Sequence, residues 1–275
     1  MFLGKRGGAY TIVYMSWASR RRTTYLSGVI LFFVVVIGAP VAYELLSQPA
    51  TCTDGKQDGG ETDVDRGGPC PLLDTRYVQP YAVLWTRSFK VRDGTYTAVA
   101  SVQNPNPDAG VVDAHYKFSL YDAQNILVAE REGDTFIMPG AVTPVVESRI
   151  DTGNRTVTHS YFEFTDTVTW ERMSNTATAL SVDGKQLSQT DTTPTLSAQA
   201  HNISVAPVLN PGFVAVIYDG DGNAFAASET RLDRLNGGAS ATITFTWPSA
   251  FTTAAGRIDI IPVLPPAPAP AAAQQ

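Results

Sequence analysis

The chain has 275 residues, long enough for one or two domains, and 17% are charged against about 25% in an average soluble protein. The net charge of −6 is uneven: residues 1–23 hold Lys5, Arg6, Arg20, Arg21 and Arg22 and no acid, which leaves −11 on the rest. So acidic a remainder excludes nucleic acid as a partner, because phosphate binding needs a basic surface.

Residues 1–23 read as a basic cytoplasmic segment and 24–46 as a transmembrane helix. The run YLSGVILFFVVVIGAPVAY, 25–43, carries no charge. At about 1.5 Å per residue, roughly 20 helical residues cross a ~30 Å hydrocarbon core. Tyr25 and Tyr43 bracket the run as interfacial aromatics do, and Pro40 sits near its far end. A signal peptide shares the basic head and apolar run, but this run is long for one and no A-x-A site follows it. A retained single-pass anchor is therefore expected, integral to the cell membrane. By the positive-inside rule, Arg20 to Arg22 keep the N-terminus cytoplasmic and put 47–275 outside. Met15 opens a second plausible head, MSWASRRR.

The segment 47–76 contains CTDGKQDGGETDVDRGGPC. Cys52 and Cys70 are the two cysteines of the chain. Outside the membrane they are expected to form a disulfide, closing a loop of about 19 residues worth roughly 3 kcal/mol by loop entropy. Asp54, Asp58, Glu61, Asp63 and Asp65 lie inside the loop and Asp74 beyond it. Carboxylates spaced by glycine suit a calcium ion, and a solvated acidic linker is the other reading. The stretch resembles the aspartate-rich cysteine segments of thrombospondin type 3 repeats. It is more similar still to a bacterial surface motif, matched here by Cys52, Asp54-Gly55, Asp58-Gly59, Glu61-Thr62, Val64-Asp65, Gly67-Gly68 and Cys70. Arg66 stands where that motif has a middle cysteine, and its downstream cysteine is absent. The resemblance implies a weak Ca2+ site; the departures leave one disulfide and a cation among the ligands.

The remaining ~200 residues read as a repeat of short strands. Val83-Leu84-Trp85-Thr86-Arg87 returns as Val168-Thr169-Trp170-Glu171-Arg172. Val102-Gln103-Asn104 is echoed around Gln199 to Asn202. Phe118-Ser119-Leu120-Tyr121-Asp122 is echoed by Ala215-Val216-Ile217-Tyr218-Asp219, and Gly140 and Gly237 each follow the Asp by 18 residues. A longer connection between Trp170 and Asn202 reads as a loop insertion. The first copy runs as a hairpin with a D-G turn at 92–95, a hairpin turning at 123–125, a Pro-Gly turn at 139–140 and a closing strand to 164. Alternation puts Tyr116, Phe118 and Leu120 on one face. The second copy runs VAVIYD, GDGN, AFAASE, LNGG, ATITFTW and GRIDIIPVL. The fold class is therefore mainly β: an N-terminal transmembrane helix, then two tandem immunoglobulin-like sandwiches, 77–166 and 167–262. Phe118, Leu120, Tyr121 and Asp122, preceded by Val102, Asn104, Pro105 and Asn106, resemble the signature of the FxLYD domain family. Tyr218 and Asp219 carry it more weakly in the second copy. The resemblance implies small extracytoplasmic β-sandwiches of bacterial envelope proteins with no catalytic role, the motif residues specifying fold. Residues 263–275, Pro/Ala-rich, are expected to be disordered.

His115, His159 and His201 each lie in or beside a strand with no second His or Cys close in sequence, and read as surface histidines. Asp219 to Asn223 reads as a polar hairpin tip. Asn154 and Asn202 begin glycosylation triplets. Trp85 and Trp170 read as core residues at equivalent positions. No nucleophile elbow, zinc-protease or P-loop motif occurs. The expected function is non-enzymatic: a scaffold or interaction subunit with protein partners in a bacterial envelope. The alternative is a module binding cell-wall or surface glycans.

Overall fold

The computed structural model describes residues 17–46 and 52–269. The basic stretch up to Ser16 with Met15, the junction at 47–51 and the tail from 270 lie outside the described residues. Helix α1, Trp17–Leu46, contains Pro40. Its stretch Arg21–Ala42 is long and apolar enough to cross a bilayer, a description a signal sequence also meets. Side chains along this stretch are exposed, among them Tyr25, Phe32 and Ile37.

From Cys52 onward the chain is a single compact unit built almost wholly of antiparallel strands. The first six are β1 (Ala82–Arg92), β2 (Thr95–Gln103), β3 (Ala109–Tyr121), β4 (Leu127–Ile137), β5 (Val142–Asp151) and β6 (His159–Phe164). Then come β7 (Glu171–Ser174), β8 (Leu180–Ser188), β9 (Thr195–Asn202), β10 (Val208–Leu209), β11 (Gly212–Tyr218) and β12 (Ala224–Arg231). The last four are β13 (Arg234–Leu235), β14 (Ser240–Thr246), β15 (Arg257–Val263) and β16 (Ala267–Pro268).

These strands form two sandwiches of like topology. Sheet β1-β2-β5 faces β4-β3-β6 in the first; β8-β9-β14 faces β12-β11-β15 in the second. The first core joins Tyr96, Ala98, Ala100 and Val102 of β2 to Tyr116, Phe118 and Leu120 of β3. The second joins Leu196, Ala198 and Ala200 of β9 to Phe213, Ala215 and Ile217 of β11, with Ile243 and Phe245 of β14. The face shared by Tyr116, Phe118 and Leu120 is thus the core face expected from alternation.

A third apolar cluster welds the sandwiches together. Phe89, Val99 and Val146 pack against Val214, Val216, Tyr218 and Ala227, with Trp85 at the margin. The β domain is therefore a stack of four sheets. β2 and β11 lie in its two inner sheets, and β11 is buried at every position. That explains their near-continuous apolar and small-residue sequences, TYTAVASV and GFVAVIY. β14 lies in an outer sheet and alternates instead: Ile243 and Phe245 inward, Thr242, Thr244 and Thr246 outward.

The repeat extends to hydrogen bonds. Asn104 Nδ2 donates to the carbonyls of Ala109 and Met138, at 2.7 and 3.0 Å. Asn202 Nδ2 donates to those of Ala206 and Leu235, at 2.8 and 3.0 Å. Gly140 and Gly238 share a left-handed φ, +57° and +68°, so the partner of Gly140 is Gly238 and not Gly237. The backbone turns where a side chain would be strained.

Four expectations need correction. The connection between Trp170 and Asn202 is not a loop: it holds β8 and most of β9, and the alternation of β8 is broken by a register shift between Asp183 and Gln186. Trp85 and Trp170 are not equivalent, because Trp85 lies in β1 against Tyr218, whereas Trp170 precedes β7 and packs with Ala109, Val111, Ala114 and Ile137 of the first sandwich. β7 pairs with β3, so the chain up to Ser174 belongs with the first sandwich rather than starting the second at 167. The tail is ordered as far as it is described: Ala267 and Pro268 pair with Ser174 and Met173.

Candidate functional site

Candidate functional residues fall at three places. The first is the acidic loop. Cys52 and Cys70 are bonded, with a Cα–Cα distance of 5.5 Å. The loop is a folded knob docked on the β domain, more ordered than a solvated linker. Leu73 N–H donates to the Trp170 carbonyl and Arg172 N–H to that of Pro71, at 2.9 and 2.7 Å. The Arg172 guanidinium donates to the Gly68 carbonyl at 2.8 Å. Asp74 anchors the base. Its buried carboxylate accepts from the Thr62 hydroxyl, from Arg76 N–H and from the Arg76 guanidinium. Arg76 foremost, through that side-chain bond, holds the Asp74 carboxyl well below the usual carboxylate range, against the opposing effect of burial.

The loop acids are mostly turned to local backbone. The Asp65 carboxylate accepts from Gly55 N–H, Asp54 from Lys56, Asp63 from Val64 and Glu61 from Asp65. Glu61 also lies 3.1 Å from Cys70 Sγ. Among the described residues no three of Asp54, Asp58, Glu61, Asp63 and Asp65 bring their oxygens within 4.8 Å of one another. A calcium ion seeking six to eight oxygens here would draw on carbonyls and water for most of them.

The second place is the pair of motif hairpins. Asp122 accepts from Gln124 and Ile126 N–H, at 3.0 and 2.9 Å, and pairs with Arg155. Asp219 accepts from Asp221 and Asn223 N–H, at 3.0 and 2.7 Å. Both hold their hairpin turns, and in both the backbone bonds, that to Ile126 or Asn223 first, lower the carboxyl pKa. The tyrosines before them part company. Tyr218 is buried between the sandwiches, under the Arg257 guanidinium at 4.0 Å. Tyr121 lies on the outer face of the β4-β3-β6 sheet.

That outer face is the third place, and no motif marks it directly. Cross-strand register sets Tyr121 beside His159, Ser119 beside Tyr161 and Lys117 beside Glu163. The Tyr121 and His159 rings are nearly parallel, and Tyr161, 63% exposed, stands edge-on to Tyr121 with centroids 5.6 Å apart. His159 Nε2 is 2.7 Å from Asn125 Oδ1. Lys117 pairs with Glu163 at 3.0 Å. His115 Nδ1 is 2.5 Å from Asp134 Oδ1, a bond that raises the imidazole pKa. Alternation in HSYFEF was the available signal: His159, Tyr161 and Glu163 share one face, Phe162 and Phe164 the other.

The opposite end of the stack, the outer face of β8-β9-β14, is dominated by Ser, Thr and Gln. There Ser240 Oγ lies 2.6 Å from His201 Nδ1, and His201 Nε2 lies 3.1 Å from Asp183 Oδ1. The order is that of a nucleophile, base and orienting acid, but it lies across an open sheet face, and hydrolysis also needs preorganised donors for an oxyanion. Asn202, which begins a glycosylation triplet, is buried at 1% exposure with its amide spent, so it is closed to modification in the folded chain.

No family model and no curated protein matches this chain. Solved structures similar in part include red sea bream transglutaminase, at 11% identity and a TM-score of 0.23, over 68% of this chain and 32% of that one. A Bacteroides uniformis beta-glucuronidase aligns at 14% identity and 0.18, over 64% and 22%. The C-terminal globular domain of an oligosaccharyltransferase from Pyrococcus abyssi aligns at 9% and 0.17, over 66% and 46%. The chain spans less than half the length of each.

Proposed function

We propose that this protein is a membrane-anchored, extracytoplasmic, non-enzymatic interaction subunit of a bacterial envelope assembly, and that it contacts its partner through the outer face of the β4-β3-β6 sheet. The observation that carries the reading is the group of half-buried Tyr121 and His159 with exposed Tyr161 on one open sheet face, rimmed by paired charges. Aromatic centres with polar rims are what protein contacts are built from. The resemblance to FxLYD domains and the long apolar helix support the envelope and anchor parts. The acidic loop acts as a brace, fixing where the chain enters the β domain.

In-cell crosslinking of the full chain, followed by mass spectrometry, tests the proposal. The reading expects a reproducible set of membrane proteins, lost on Tyr161→Ala. The same aromatic group favours a second reading, glycan binding by ring stacking, and recovery of wall polymer without protein partners would put that reading first. Hydrolysis of a nitrophenyl ester by the chain, abolished by Ser240→Ala, would overturn the non-enzymatic part.

A further inference from the structure

One group of side chains on the same sheet serves neither the core nor the aromatic cluster. Asp113, in the bulge between Val111 and Ala114 of β3, and His115 are both exposed, on either side of the buried Ala114. Asp134 is the direct cross-strand partner of His115 on β4. The imidazole nitrogen and one oxygen from each carboxylate all lie within 4.8 Å of one another, and all three residues are exposed. The sheet backbone fixes this spacing, while the exposed side chains keep the rotamer freedom to close on an ion.

The local charge is unbalanced. Asp113 forms no ion pair with a lysine or arginine among the described residues, and Asp134 pairs with His115 alone. Asp166, beside the residue that bonds the His115 carbonyl, adds its field to the same imidazole. Lys117, the nearest cation along β3, is engaged by Glu163 and Glu130. Two carboxylates lie beside one imidazole, whose charge when protonated offsets only one of them, so a cation between the carboxylates is favoured. Asp134 also lines a cleft of about 380 Å³ between the two sandwiches, together with Tyr116, Glu229 and Arg231. That volume is in the range of small-ligand sites, roughly 300–1,000 Å³.

We infer that Asp113, His115 and Asp134 form a site for one divalent transition-metal ion of the zinc class, at the rim of the cleft between the sandwiches. The donor set decides the class: one nitrogen and two carboxylate oxygens suit zinc and its neighbours, whereas calcium takes oxygen donors in larger number. Three protein ligands leave a position for water or a fourth donor. Zinc binds to donors at about 2.0–2.2 Å, so the three atoms draw together by small side-chain rotations.

The test uses the full chain, free of affinity tags, in detergent micelles, stripped with chelator and titrated calorimetrically with Zn2+. The expected result is one saturable site, with His115→Ala and Asp134→Asn each weakening it by about tenfold or more. Both positions are exposed, so circular dichroism and metal-free Tm should match the parent. Co2+ in place of zinc should give visible absorption bands that His115→Ala removes. Absence of saturable binding would overturn the proposal. So would binding that survives both substitutions unchanged, which would place the ion elsewhere.

Discussion

Asn104 and Asn202 perform the same task, one in each sandwich: each amide ties together two carbonyls from distant parts of its domain and accepts from a backbone N–H two residues on. Replacing either by Ala leaves buried acceptors without donors, and a loss of about 1–3 kcal/mol is expected in chemical denaturation. Phe118→Ala, emptying a fully buried position, should cost about 3–5 kcal/mol, whereas Tyr161→Ala on the surface should stay within about 0.5 kcal/mol. Asp74 supplies a pH signature. Its folded pKa lies below its unfolded value of about 3.9, so its contribution is complete above that value and is lost as pH falls through the folded one. Asp74→Asn should therefore melt lower than the parent at pH 7, with the gap narrowing in melts below about pH 4. The asparagine echo was visible in the sequence. Its meaning was not, because the carbonyls of Met138 and Leu235 lie more than thirty residues away.

At the scale of elements, the acidic loop shows where sequence reading stops. Its cysteines and acids announce themselves by composition. Its docking does not, since the bonds that hold it run through backbone atoms of Gly68, Pro71, Leu73 and Trp170. Opening the disulfide by Cys52→Ser with Cys70→Ser should loosen this knob by up to about 3 kcal/mol and speed hydrogen exchange at the Leu73 and Arg172 amides, leaving β11 protected. Hairpins marked by D-G or Pro-Gly turns, such as β1-β2, were legible. β8 and β9 were not. In β8 the bulge at Asp183–Gln186 interrupts the period-2 pattern and Lys185, Gln186 and Ser188 read as loop chemistry; β9 alternates in burial, but TLSAQAHN is too small and polar to stand out as a strand.

At the scale of the molecule, the repeats stack head to tail. The β1-β2-β5 sheet of the first covers the β12-β11-β15 sheet of the second, which leaves two open end faces. The shared core predicts a single unfolding transition for the β domain in calorimetry. Val216→Asp, placing an unpaired charge in that core, should split it into two. The sequence carried both repeats but not their union, because an apolar run in a strand reports burial on both faces without naming what covers the second. The aromatic end face is the feature on which the functional account depends. The most direct measurement is photo-crosslinking in the cell from an aromatic azide or benzophenone residue placed at position 161, with position 244 on the opposite end face as control. Discrete adducts to membrane proteins from 161 and none from 244 are predicted. Equal adducts from both positions, or none from 161, would contradict the account.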